Sequence, residues 1–222
     1  MGLVGVADYA AVILPPLWAE APWQAAAAAL ARQFHLSLRP PTAADAGHLE
    51  LTAQGLQLHL PPRCQPWQVD FAANVLAYRR KQPGFGEALA KAVGVDARRK
   101  PQVLDITAGW GRDGFLLAHW GCQVTLWERH PVVAALLADG WVRAQADPEL
   151  QAASRRMRLH YGDGAVHLAK TQASWDVIYL DPMFPPRPKS ALVKQELQHL
   201  QRLVGAQPVE PLWHLARQQA RR

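Results

Sequence analysis

Cysteine is almost missing from this chain. Cys64 and Cys122 are the two present in 222 residues, far apart and in no metal-ligand spacing. A disulfide framework is thereby excluded, and a reducing, cytoplasmic setting is expected, with Cys122 in a buried strand. Long apolar runs are also lacking. The run from Ala10 is broken by Pro15-Pro16, and no basic segment precedes it, so neither a signal peptide nor a membrane span is expected. His35, His48 and His59 show no ligand spacing; they read as surface or core histidines, and no metal is expected. Acid is in deficit: 18 Asp and Glu against 24 Lys and Arg leave a net charge of +6, which favours an anionic partner. No internal repeat is visible, and the run Ala25 to Ala29 is a plain helix former. What the chain does have is apolar residues. At 50% they exclude disorder and allow one sizeable domain, or a small one joined to a medium one.

The most informative stretch is Val103-Leu104-Asp105-Ile106-Thr107-Ala108-Gly109-Trp110-Gly111-Arg112-Asp113-Gly114, followed by apolar Phe115 to Ala118. It reads as a strand, a glycine-punctuated turn and a helix, the junction that opens a nucleotide-binding βαβ unit. Glycine at 109 and 111 permits positive φ and close approach of a ligand. Asp105 selects the ligand. A carboxylate at the mouth of this strand would repel a pyrophosphate, whereas S-adenosylmethionine has no phosphate and carries a sulfonium and an amino group. Glu128 ends a second apolar run, Cys122 to Trp127, where it can accept hydrogen bonds from both ribose hydroxyls.

Further βα units follow. Pro131 suits the first turn of a helix over Val132 to Val142. Met157 to Tyr161 is a third strand leading to Gly162-Asp163-Gly164, where Asp163 can take the adenine amino group or cap the helix 165–171, and Gly164 leaves room for the ring. Trp175 to Leu180 is a fourth strand, running into Asp181-Pro182-Met183-Phe184-Pro185-Pro186-Arg187-Pro188-Lys189. Ligands in open α/β sheets bind at the carboxyl ends of the strands, so Asp181 and Phe184 should face the crevice of Asp105. The prolines stiffen that loop, and Arg187, Lys189 and Lys194 beside it add phosphate-binding charge.

Upstream, residues 1–80 read as a small α+β unit. It has a strand at Val12-Ile13-Leu14, a helix from Trp23 to Phe34, and a hairpin of 49–51 with 56–60 around Gly55. Asp70, Phe71, Tyr78 and the triplet Arg79-Arg80-Lys81 either approach a nucleic acid or form a connector helix with a solvated end. The triplet Arg98-Arg99-Lys100 precedes the first strand of the parallel sheet, on the face away from the ligand, and reads as solvated.

The motif Asp181-Pro182-Met183-Phe184 resembles the (Asp/Asn)-Pro-Pro-(Phe/Tyr) signature of methyltransferases acting on exocyclic amino groups of bases, with Met183 in place of the second proline. Residues 105–114, 128–140 and 180–194, with 69–81, resemble the bacterial ribosomal RNA small subunit methyltransferase J family over about 69–205. That resemblance implies a class I methyltransferase fold: an α/β, Rossmann-like, doubly wound sheet over residues 81–222 beside the N-terminal α+β unit of 1–80. It also implies methylation of a guanine N2 near the 3′ end of small-subunit rRNA, with S-adenosylmethionine as cofactor. Carried over, its cofactor contacts are Arg112, Asp113, Glu128, Arg129, Asp163, Gly164 and Asp181, alongside Asp105 and Gly109. Asp181 and Phe184 become the catalytic pair, orienting and stacking the base. The family shows a glycine run where this chain has Gly84-Phe85-Gly86, and it continues past the helix around 212–219 into a further strand. A sheet shortened at the C-terminus, or completed by the N-terminal unit, is therefore expected. Two rivals stand: a non-catalytic RNA-binding or assembly protein on a decayed methyltransferase fold, and an NAD-dependent oxidoreductase favoured only by the glycine spacing.

Overall fold

A computed structural model describes residues 14–60, 65–81, 87–171, 173–181 and 209–220. The N-terminal unit begins with β1 (Leu17–Trp18), α1 (Gln24–Phe34), β2 (His48–Thr52) and β3 (Gly55–His59). A strand is expected at 12–14, and the described strand is β1 at 17–18. Residues 12 and 13 lie outside the described residues, Leu14 is irregular, and the strand follows Pro15-Pro16. There Leu17 N–H donates to Ser37 O and Leu49 N–H donates to Pro16 O, each at 2.8 Å, which seats β1 parallel to β2. Strands β2 and β3 form the expected hairpin, with Leu49 opposite Leu58 and Leu51 opposite Leu56 on the buried face.

Helices α2 (Asn74–Lys81) and α3 (Ala88–Val93) lead into the second half. There β4 (Gln102–Asp105), α4 (Arg112–His119), β5 (Gln123–Glu128), α5 (Pro131–Ala146), α6 (Gln151–Ser154), β6 (Met157–Tyr161), α7 (Gly164–Lys170), β7 (Val177–Tyr179) and α8 (Val209–Gln219) follow. Strands β4 to β7 are all parallel, in the order β6-β5-β4-β7. A parallel sheet is covered on both faces, and its strands read as apolar runs for that reason. On one face Val103, Val124, Leu126 and Val177 share a core with Phe115 of α4 and Leu136 of α5. On the other, Leu104 and Ile106 meet Leu168 of α7 and Leu212 of α8.

The first three strands form a sheet of their own, and no described strand of it pairs with the four-stranded sheet. They join the same core from the far side of α5: Leu49, Leu56 and Phe34 belong to one cluster with Phe115 and Leu136. Gly140 makes that approach possible, since a Cβ there would lie 2.6 Å from Val69 Cγ1 and 2.7 Å from Val69 O. Phe71, a candidate for meeting nucleic acid, is instead core: it is 2% exposed and stacks on Phe115 with ring centroids 4.6 Å apart. Tyr78 is 67% exposed. Beyond α8, Ala220 makes a parallel bridge with Trp175, alongside the approach to β7.

Candidate active site at the carboxyl ends of the sheet

Each of the four parallel strands runs into an acid at its carboxyl end. Asp105 closes β4, Glu128 closes β5, Asp163 lies two residues beyond β6, and Asp181 two beyond β7. The register sets Asp105 level with Leu126 and Tyr179, and Glu128 level with Tyr161, so the acids share one rim.

Asp105 is 2% exposed. Burial pushes its pKa up to about 7, although the Thr107 N–H, 2.9 Å from Oδ1, pulls the other way; Asp113 and Glu128 add repulsion. Glu128 is 6% exposed, and burial raises its pKa too. Its two oxygens accept from backbone: Oε2 from Gly109 N–H at 2.8 Å and Oε1 from His130 N–H at 2.7 Å. The carboxylate expected to hold a ribose therefore also holds the glycine turn. Each oxygen has two lone pairs, so the carboxylate keeps acceptor capacity beyond these backbone bonds.

The glycines of the turn divide by role. A Cβ on Gly111 would lie 2.5 Å from Leu137 Cδ1, and one on Gly114 2.5 Å from Leu126 Cδ2, so these two serve packing. Beside Gly109 (φ +54°), among the described residues, only Thr107 O comes within contact range, at 3.8 Å, which leaves space for a ligand against the backbone. A Cβ on Gly164 would lie 2.5 Å from Ile106 Cβ, so its missing side chain lets α7 pack against Ile106 just past β4. Asp163 caps α7, accepting from Ala165 N–H at 2.8 Å.

Asp181 reaches solvent, yet the protein around its carboxyl, together with Asp113, raises its pKa. Its backbone N–H donates to Thr107 Oγ1 at 2.8 Å. Thr107 thus ties the turn after β4 to the loop after β7. Sequence reasoning passed over it, although a hydroxyl two residues past a strand-end acid is suited to such a bridge. Asp113 faces inward from the first turn of α4, where Oδ2 accepts from the Tyr179 hydroxyl at 2.8 Å and Oδ1 lies 3.6 Å from Arg79. Arg79 in turn grips Glu87 at 2.6 Å. The basic triplet of α2 is thus partly spent inside the protein, for Arg80 donates to Phe71 O as well. Arg112 is exposed at the start of α4, and Arg129 is half-buried after β5. Phe184, Arg187, Lys189 and Lys194 lie outside the described residues.

A family described as "Putative SAM-dependent methyltransferase" matches residues 29–222. Ribosomal RNA small subunit methyltransferase J of Dechloromonas aromatica is 49% identical over 189 residues, covering 81% of this chain and 75% of that protein. The chain belongs to this methyltransferase J family. The protein of that name from Pseudomonas paraeruginosa is 46% identical, with 84% and 72% of the two chains covered. For the one from Tolumonas auensis, 54% identical, the match takes in 65% of this chain and 59% of the relative's length. A crystal structure of a SAM-dependent methyltransferase from Neisseria gonorrhoeae superposes with a TM-score of 0.73 at 35% identity, over 93% of this chain and 81% of that one. The methyltransferase fold is thus the expected one, and its cofactor is S-adenosylmethionine. The residues present suit that molecule. Open backbone at Gly109 lies among buried carboxylates that a cation stabilises and a pyrophosphate would not. Among the described residues, no helix is long and apolar enough to cross a membrane.

Proposed function

We propose that this chain methylates the exocyclic N2 of a guanine near the 3′ end of small-subunit ribosomal RNA. The observation that carries the reading is the acidic rim around Gly109, a place for a cationic cofactor. The names of the relatives point to the RNA. Residues 81–222 supply the cofactor site, and the unit of residues 1–80 stands beside it.

S-adenosylmethionine, when bound, supplies a methyl group already activated by its sulfonium. The protein has to bind, orient and exclude water. Asp105, Gly109 and Glu128 form the centre of the binding site, with Arg112, Asp113, Arg129, Asp163 and Gly164 around it. The Asp181 carboxylate accepts a hydrogen bond from the guanine amine, localising a lone pair that the ring would otherwise delocalise. Phe184 stacks on a base that has been flipped out or is single-stranded. Arg187, Lys189 and Lys194 meet phosphates.

Calorimetry with S-adenosylhomocysteine and with NAD is the first test, and mapping of methyl transfer on undermethylated ribosomal RNA is the second. Binding of S-adenosylhomocysteine and not of NAD, with one methylated guanine N2, is the expected result. Binding of neither ligand would favour a decayed fold, and methylation of another atom would overturn the guanine assignment.

A further inference from the structure

The β2–β3 hairpin gathers three ligating side chains that the sequence keeps apart. Directly opposed residues of an antiparallel pair face the same side, and His48 lies opposite His59. Glu50, two residues along β2, shares that side. Leu49, Leu51, Leu56 and Leu58 bury the other face, which leaves this face to polar groups.

The two imidazoles stack with centroids 4.5 Å apart and planes 1° from parallel. His59 Nε2 stands 3.1 Å from Glu50 Oε2. One donor atom from each of the three residues lies within 4.8 Å of the others, and all three residues are half-buried. His59 Nε2 is itself shielded from solvent and has no aligned hydrogen bond.

We propose that His48, Glu50 and His59 bind a divalent transition-metal ion, zinc foremost, that clips β2 to β3. Two imidazoles, borderline donors, with one carboxylate make a set suited to zinc, cobalt or nickel and poorly suited to magnesium or calcium. Three protein ligands leave a fourth, tetrahedral position for water. With donors at ~2.0–2.2 Å from zinc, a tetrahedral set has donors about 3.4 Å apart. The group must then close by up to about 1.4 Å, with the stacked rings splaying, a movement within reach of half-exposed side chains. Because the hairpin's other face belongs to the core shared with α5, a clip here stabilises the whole fold.

The test uses the full chain, stripped of metal and titrated with Zn²⁺ by calorimetry, with Co²⁺ as an optical probe. Saturable binding of one equivalent, a rise in Tm and a Co²⁺ absorption spectrum of low coordination number are expected. Glu50→Gln and His59→Gln should each weaken binding at least tenfold, since even loss of an outer partner costs ~10–100-fold. His35→Gln, on another element, should leave affinity unchanged. Should a hairpin variant fail to fold, histidine resonances of the wild-type chain decide the matter: Zn²⁺ must shift those of His48 and His59. No stoichiometric binding, equal affinity in Glu50→Gln and His59→Gln, or shifts confined to other histidines would each overturn the proposal. In any of those cases the hairpin holds only a cross-strand histidine–glutamate pair.

Discussion

Tyr179 donates its hydroxyl to Asp113 Oδ2 at 2.8 Å, joining the end of β7 to the first turn of α4. Burial, and then Asp113, raise the phenol's pKa, so the proton stays on Tyr179 and the bond is charge-assisted. Arg79 approaches the other Asp113 oxygen, at 3.6 Å. Asp113 is therefore a brace that ties α4 to β7 and to α2.

Tyr179→Phe should lower stability by roughly 1.5–3 kcal/mol, the range for a hydrogen bond to a charged group. Chemical denaturation of Tyr179→Phe, Asp113→Asn and the double variant checks it. Additive losses would mean that the two side chains are not coupled.

Glu128→Ala should weaken S-adenosylmethionine binding by roughly 1.5–3 kcal/mol. Because Glu128 also holds the Gly109 and His130 N–H groups, the variant should lose Tm even without ligand. Calorimetry and thermal denaturation separate the two losses. Unchanged affinity would remove the ribose assignment.

Ala at Gly109 and Ala at Gly111 should behave differently. Both positions have positive φ, which costs about 1–2 kcal/mol for any residue with a Cβ. At Gly111 the clash with Leu137 adds about 1–3 kcal/mol of overpacking, so this variant should be the less stable. Gly109→Ala should fold and lose cofactor affinity out of proportion to its Tm. A Gly109→Ala protein with wild-type affinity would show that no ligand approaches that backbone.

The buried Asp105 makes both stability and binding depend on pH. Its pKa in the folded chain, about 7, lies above the ordinary aspartate value of ~3.9. Its contribution to stability is thus fully present below pH ~4 and is lost as pH rises through about 7. Asp105→Asn should flatten that part of the Tm profile of the cofactor-free protein. A cationic ligand favours the ionised form, so S-adenosylmethionine should bind more tightly at pH ~8 than at ~6, with release of a proton. Calorimetry in buffers of different ionisation enthalpy counts that proton, and a count of zero would place the cation away from Asp105.

For catalysis, Asp181→Ala should cost on the order of a hundredfold in methyl transfer, ~2.7 kcal/mol. Phe184→Ala should lose roughly ten- to a hundredfold, matching about 1–3 kcal/mol of stacking, with cofactor affinity near wild type. Phe184→Tyr should keep most activity, because the ring survives. A stable Phe184→Ala protein that methylates at the wild-type rate would end the stacking assignment.

Much of the sheet was legible because its signals are local. Val103-Leu104-Asp105 and Val124 to Glu128 are apolar runs ended by acids, and each becomes a strand with its acid at the ligand end. Pro131 opens α5 and Asp163 caps α7 for reasons contained in a few residues. The place of β1 was not legible, since a two-residue strand has no periodicity and exists only by pairing with β2 and Ser37. Nor was the use of the glycines: Gly109, Gly111 and Gly164 look alike in sequence, and only their neighbours show which one faces open space.

Residue type and order alone thus determined the parallel βα units, the acids at their mouths and the nature of the cofactor, because a strand–turn–helix junction and the charge beside it depend on adjacent residues. The tertiary structure decided which distant groups meet. It made Phe71 core, set Thr107 beneath Asp181, turned Asp113 toward Tyr179 and brought His48 to His59. Each pairing depends on strand register or helix packing over many residues, and no local spacing encodes that distance.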